Sequence, residues 1–249
     1  RELKHQIPCS ELDSAENYKL SVHGTGDNAS ALIYTCALAD YRSIDRDKFN
    51  IVGITGNSMG WYLALAAAGA TTLEQGMTIV NTMGNLMHKY AEGAQVMYPT
   101  CDENWQANRF LRETLETSIA SLLQDNKHAI YPSIDLGYIR ILACNSLAAK
   151  KLLATLPKTQ DKYPLQIPHH AAFHSPLMQT ISALALKEIP ANILTHAKIP
   201  LIDGRGHIWQ THSTAVNELY TYTFANQVCE SYDYSKAIEI GCKEFAPDC

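Results

Sequence analysis

The chain has 249 residues, 46% of them hydrophobic and 18% charged, with a formal net charge of −5. That balance predicts a globular enzyme built as one large α/β domain, or as one domain carrying a smaller insert. Without a basic stripe nucleic acid is excluded as an expected partner, and no apolar run reaches the ~18 residues needed to span a bilayer, which excludes a membrane helix.

Residues 1–10 are polar and show no signal peptide, and Arg1 is not a Met, so the natural N-terminus is expected to lie upstream. The seven cysteines, Cys9, Cys36, Cys101, Cys144, Cys229, Cys242 and Cys249, are scattered and form no C-x-x-C pair. They predict reduced thiols in a cytoplasmic protein, several buried as small hydrophobes, rather than a zinc or redox site.

Residues 1–28 are polar and weakly patterned. Residues 29–41, ASALIYTCALADY, predict a buried helix, and 42–49 a charged loop. Residues 50–54 are short, mostly apolar and β-branched, as a buried strand requires. Gly56-Asn57-Ser58-Met59-Gly60 follows, and then an Ala- and Leu-rich helix over 62–70. Thr72 and Gln75 form a capping box for a helix to about Tyr90, with Leu73, Met77, Val80, Met83 and Met87 on one face.

The texture changes after Gly93. Strands are predicted at 95–98, 128–132, 138–143 and 165–167, with helices over 103–124 and from Asn145 to Leu156. Strand, helix, two strands, helix, strand is the split βαβ order of ferredoxin-like domains. The expected division is therefore a large α/β domain at 1–94 and 167–249, interrupted by a ferredoxin-like subdomain at 95–166. Beyond it, Pro176 starts a helix to about Glu188, 200–202 is a short strand, 213–224 a helix and 234–240 a last short element.

Strand, G-x-S-x-G, helix is the nucleophile elbow. Its two glycines are expected to avoid collisions that a Cβ on either side of Ser58 would make with the neighbouring strand and helix. The turn exposes the Ser58 hydroxyl and aims the free Met59 N–H at an oxyanion forming there. A serine hydroxyl needs a base. Among the histidines, His5, His88, His128 and His196 sit in polar surroundings and predict surface positions. His174 lies between an apolar run and a proline-started helix, where the chain re-enters the main domain, a usual place for a cleft. His169, His170 and His174 have no carboxylate at ligand spacing, which argues against a metal site.

GNSMG followed by an alanine-rich helix, with AAFHSPLM 116 positions downstream of Ser58 at its histidine, resembles the malonyl-CoA:acyl-carrier-protein transacylases and the acyltransferase domains of fatty-acid and polyketide synthases. The resemblance runs over about 29–240. It implies an α/β-hydrolase-like acyltransferase core with a parallel sheet and a ferredoxin-like insert. It also implies ping-pong transfer: Ser58 attacks an acyl-CoA thioester, His174 takes its proton, Met59 N–H holds the oxyanion, and the acyl group passes to the phosphopantetheine thiol of an acyl carrier protein. Coenzyme A thioester and phosphopantetheine are then substrates, no bound cofactor is expected, and His174 is oriented by a backbone carbonyl rather than an acid.

The chain departs from the family pattern at several points. The resemblance implies malonyl-CoA as the donor, but Met83 stands where malonyl-loading members carry an arginine, which argues for an uncharged acyl group such as acetyl, or equally for a proofreading hydrolase that removes stalled acyl chains; Arg205, in Asp203-Gly-Arg-Gly-His207, is the candidate to supply the charge from elsewhere. Asn57 replaces a histidine. Trp61 replaces an acidic residue and would narrow the pocket mouth or form its apolar wall, packing in the core being the alternative. Asn57, Trp61, Met83 and Phe173 are the expected substrate contacts. The family's N-terminal glutamine motif is unmatched, Gln6 in HQIP being no counterpart, and Glu239-Ile-Gly-Cys-Lys stands where a C-terminal GPG-like motif would be. Two other readings stay open: a serine hydrolase, either of acyl-carrier thioesters or of the ordinary α/β-hydrolase kind, the latter needing Asp125 or Asp135 as a third acid by chain order although both fall in the insert, and a carrier-protein docking module that has lost catalysis.

Overall fold

The computed structural model describes residues 6–248. The polar N-terminal stretch forms two short helices, α1 (Cys9–Asp13) and α2 (Leu20–His23). α3 (Gly26–Ser43) is longer than the helix predicted over 29–41 and is not buried all round. Ala31, Tyr34 and Leu38 face inward, whereas Ile33 is 49% exposed. Thr35, Cys36, Ala39 and Asp40 are exposed with it, so one side of the helix lies on the surface.

The elbow strand is shorter than its sequence predicts. Only β1 (Ile54–Thr55) joins a ladder, and Val52 is 38% exposed. β1 is the edge of a three-stranded sheet, β1-β6-β7. It runs parallel to β6 (Leu201–Ile202), which pairs antiparallel with β7 (Ile208–Trp209). α4 (Met59–Ala67) follows the elbow, and α5 (Leu73–Tyr90) starts on the predicted capping box, Thr72 accepting from Gln75 N at 3.1 Å. α3 and α5 cross closely at Gly84, where a Cβ would stand 2.5 Å from both Gly26 O and Ser30 Oγ. A larger residue there would push the two helices apart.

The second sheet has the order β5-β2-β4-β3-β8. Its first four strands, β2 (Ala94–Pro99), β3 (Ile130–Asp135), β4 (Ile139–Cys144) and β5 (Leu165–Gln166), pair antiparallel. α6 (Arg109–Leu122) and α7 (Ser146–Thr155) connect them, each capped by an asparagine, Asn108 and Asn145. This is the split βαβ arrangement, with its own core around Val96, Leu142 and Leu152. β8 (Tyr232–Asp233) was not expected; it arrives from far downstream and adds a parallel strand to β3.

The remaining chain forms a 3₁₀ turn (Pro176–Met178) and α8 (Gln179–Glu188). The helix predicted over 213–224 is instead α9 (Val216–Thr221), a π-helical turn (Tyr222–Asn226) and α10 (Gln227–Cys229). α11 (Tyr234–Phe245) extends past the predicted 234–240 and contains the 239–243 segment. α3, α4, α5, α8 and the π turn share the main core around Trp61, Leu65, Ile79 and Phe224. Among the described residues no helix is long and apolar enough to cross a membrane, and Cys101 and Cys144 are buried free thiols.

Candidate active site

Ser58 caps α4 with φ 55° and ψ −117°, a region that costs a non-glycine residue energy. The elbow holds it there. A Cβ on Gly56 would lie 2.1 Å from Gly60 O, so that position accepts only glycine. Gly60 is different: a Cβ there would meet nothing within 4 Å. The steric demand thus falls on Gly56 alone, and the obstacle is the elbow's own second arm rather than a neighbouring strand. Met59 opens α4, so its N–H has no carbonyl a turn earlier in the helix to bond.

His174 stands on the loop before the 3₁₀ turn, also at positive φ (55°). The loop is pinned on both sides: Ser175 Oγ donates to Ala172 O at 2.6 Å, and Ser133 Oγ to Phe173 O at 2.7 Å. This brings His174 Nε2 to 2.7 Å from Ser58 Oγ. Nδ1 lies 2.6 Å from Gln227 O. A carbonyl only accepts, so Nδ1 carries the ring proton and Nε2 presents its lone pair to the Ser58 hydroxyl. Neither Asp125 nor Asp135 touches the imidazole. Asp135 pairs with Arg140 and accepts from Gly137 N, and Asp125 accepts from Lys127 N.

His174 is 4% exposed. Burial pushes its pKa down to about 4, partly opposed by the Gln227 carbonyl and helped by His170. The imidazole is therefore neutral at physiological pH. Acylation of Ser58 should stay flat as pH falls from 7 to about 5 and drop only near pH 4, where the base protonates; a rate–pH profile of single-turnover acylation checks this. The same shift has a stability sign. Between about pH 6.5 and pH 4 the unfolded chain binds this proton and the folded chain does not, so this group makes folding less favourable as pH falls through that window.

Two residues with no sequence motif complete the frame. Gln227 gives its carbonyl to His174 and donates its side-chain Nε2 to Ser58 O at 2.9 Å, tying base and elbow together. It follows directly on the π turn, a feature frequent at functional sites. The Tyr232 hydroxyl donates to Gly56 O, and its ring lies edge-on to His174 with centroids 6.0 Å apart. The only sequence trace of Gln227 is an amide one turn beyond Thr223, past the predicted helix end at Phe224.

A cavity of about 340 Å³ opens beside the pair. Asn57, Ser58, Met59, Met83, Phe173 and His174 line it, as do His169 and His170, and no arginine or lysine is among its described lining residues. Met83 is 2% exposed.

Trp61 is not part of that wall. It is fully buried, bonds Thr223 Oγ1 through Nε1 at 3.0 Å and packs edge-on against Tyr222. Its neighbour Tyr62 lines the cavity instead, because successive helical residues point about 100° apart. Arg205 is also elsewhere. Its guanidinium holds the fully buried Asp203 at 2.7 Å and stacks 4.3 Å over the Tyr222 ring, on a separate surface cavity. Gln6 donates to Asp27 O at 2.8 Å and to Asn81 Oδ1 at 2.9 Å and is not among the residues lining the Ser58 cavity. His128 is half-buried rather than on the surface, and His5 lies outside the described residues.

The site thus combines a nucleophile elbow beside a mixed sheet with a facing histidine held by a main-chain carbonyl. The chain has the fold of the malonyl-CoA:acyl-carrier-protein transacylases. It superposes on the malonyl-CoA:ACP transacylase of Synechocystis sp. PCC 6803 with a TM-score of 0.72 at 16% identity, covering 95% of this chain and 73% of that one. For the MCAT structure from Streptococcus pneumoniae the TM-score is 0.71 at 17% identity, over 96% and 73% of the two chains. The acyl-carrier-protein S-malonyltransferase of Burkholderia pseudomallei 1710b gives 0.73 at 15% identity, over 95% and 73%. No protein-family model and no curated protein sequence matches the chain.

Proposed function

We propose that this protein transfers an acyl group from a coenzyme A thioester to the phosphopantetheine thiol of an acyl carrier protein through an acyl-Ser58 intermediate. The observation that carries the reading is the 2.7 Å contact of Ser58 Oγ with an imidazole whose other nitrogen is held at 2.6 Å by Gln227 O. The solved structures that share the fold are named as transacylases or malonyltransferases acting with an acyl carrier protein.

In the proposed reaction His174 Nε2 takes the Ser58 proton as Oγ adds to the thioester carbonyl. The Met59 N–H faces the developing oxyanion. Collapse expels the coenzyme A thiolate, which takes the proton back from His174. In the second half His174 deprotonates the carrier thiol, sulfur attacks the acyl-serine, and Ser58 leaves with the proton. The test is intact-mass spectrometry of the protein after a panel of acyl-CoAs, then after a holo carrier protein. An adduct that then moves to the carrier supports transfer. An adduct lost to water with no acyl-carrier product overturns transfer in favour of hydrolysis.

The acyl group in this proposal is uncharged. A malonyl carboxylate beside Met83 would be buried without a cation, which costs several kcal/mol. Met83→Arg is expected to raise malonyl over acetyl labelling of Ser58 by about tenfold or more, one charged pair replacing none. An unchanged malonyl-to-acetyl ratio in competition labelling would refute Met83 as the residue facing that end of the acyl group.

A further inference from the structure

Behind the His174 loop, four polar groups form one hydrogen-bonded series. Ser133 Oγ donates to Phe173 O at 2.7 Å. A carbonyl only accepts, so the single hydroxyl proton is committed to it. Ser133 Oγ in turn accepts from Gln95 Nε2 at 2.7 Å. With its NH₂ facing Ser133, the Gln95 amide turns Oε1 to His170, whose Nδ1 donates to it at 2.6 Å. One main-chain carbonyl thus sets every donor and acceptor in the series. Gln95 is 1% exposed and Ser133 is fully buried. His170, at the outer end, is exposed and lines the Ser58 cavity.

The second sheet is deformed where this series begins. Pro132 pairs with Leu142 and Ile134 with Ile141, which are adjacent residues of β4, so Ser133 is an extra residue in β3. This is a β-bulge, a device that re-aims a side chain and is frequent beside active sites. The peptide plane that Ser133 holds joins Phe173 to His174, and its orientation fixes one side of the His174 φ rotation. That angle is 55°. Such left-handed backbone is costly for a residue with a Cβ and persists only where the surroundings hold it. Turning the plane would move the imidazole off Ser58 Oγ, which stands 2.7 Å from Nε2.

Resting on the reading above, in which His174 is the base that activates Ser58, we propose that Ser133 and Gln95 are positioning residues: through the Phe173 carbonyl, the second sheet holds the base in its strained conformation. Ser133 acts on the carbonyl directly. Gln95 acts through Ser133, engaging its oxygen so that the hydroxyl proton stays on Phe173 O. Neither residue lines the Ser58 cavity, so neither acts by touching what binds there.

The test is single-turnover labelling of Ser58, read by intact mass, with a panel of acyl-CoAs and with p-nitrophenyl acetate, a small activated ester that needs neither coenzyme A nor carrier. Ser133→Ala is expected to slow labelling about 10- to 100-fold, the scale of a displacement near 1 Å, in the limiting rate rather than in half-saturation. Gln95→Met, similar in length but without the amide, is expected to give a smaller loss of the same kind. In the His174→Ala background Ser133→Ala is expected to change nothing further, because a residue acting through the imidazole has nothing left to act on. A merely structural loss would lower both backgrounds alike. An unchanged rate in Ser133→Ala, a loss confined to half-saturation, or an equal loss with and without His174 overturns the proposal and leaves acyl transfer standing. Should Ser133→Ala fold poorly, the same cycle on Gln95→Met decides. Labelling by the ester alone ends the acyl-transfer reading, and the cycle is then read on the ester. Labelling of Ser58 by neither reagent overturns both.

Discussion

Ser58→Ala is expected to abolish the covalent acyl-enzyme and to lower carrier acylation by about 10⁴- to 10⁶-fold, the scale seen when a serine nucleophile is removed. The geometry makes the substitution clean. Alanine keeps the Cβ that already sits at φ 55°, so the elbow pays no new steric cost. The tie from Gln227 Nε2 runs to the Ser58 main-chain carbonyl and survives. His174 Nε2 loses its hydroxyl partner but borders a cavity where a substrate group or solvent can replace it. Two core-side thiols are poor substitutes: burial holds the Cys144 thiol up at about 12 and also raises that of Cys229, so neither is a thiolate at neutral pH. Intact-mass measurement after acyl-CoA treatment checks this. An adduct of equal yield in Ser58→Ala would show that acylation occurs elsewhere.

What could be read from the sequence was what is decided locally. The elbow depends on residues within five positions of one another, and the Thr72 and Asn145 caps on contacts three residues long. The strand-helix order of 95–166 follows from periodicity and placed its elements close to where they occur. The Ser58–His174 pairing spans 116 residues, and only the joint presence of two motifs pointed to it. The misses share a cause. The 50–54 run has strand-like residues, but its burial depends on what lies beside it, and β1 has a partner on one side only within its sheet. Trp61 and Tyr62 differ by a single helical step, and which one faces the cavity is set by how α4 is rotated against the π turn. Gln227 and Tyr232 act on the elbow across 169 and 176 residues, through main-chain carbonyls that every residue type carries. No residue pattern announces such contacts.

His174→Ala is expected to slow acylation of Ser58 by about 10²- to 10⁴-fold, the usual contribution of a positioned general base. The loss should fall on the chemical step, because the imidazole is 4% exposed and meets the cavity mainly through Nε2. Substrate affinity, set by the apolar wall, should change little. The substitution also leaves Gln227 O without its 2.6 Å partner. An unmet buried acceptor costs about 1–3 kcal/mol, so some thermal stability should be lost as well. Activity and stability must therefore be separated, and two readouts do so. The fall in rate near pH 4 belongs to this imidazole, so it should vanish from the residual activity of His174→Ala while any purely structural effect would leave it in place. The double variant Ser58→Ala/His174→Ala should be no slower than Ser58→Ala alone, since a base has no role once its hydroxyl is gone. Additive losses in that cycle, or an acid limb that persists without the imidazole, would show that the proton leaves Ser58 by another route.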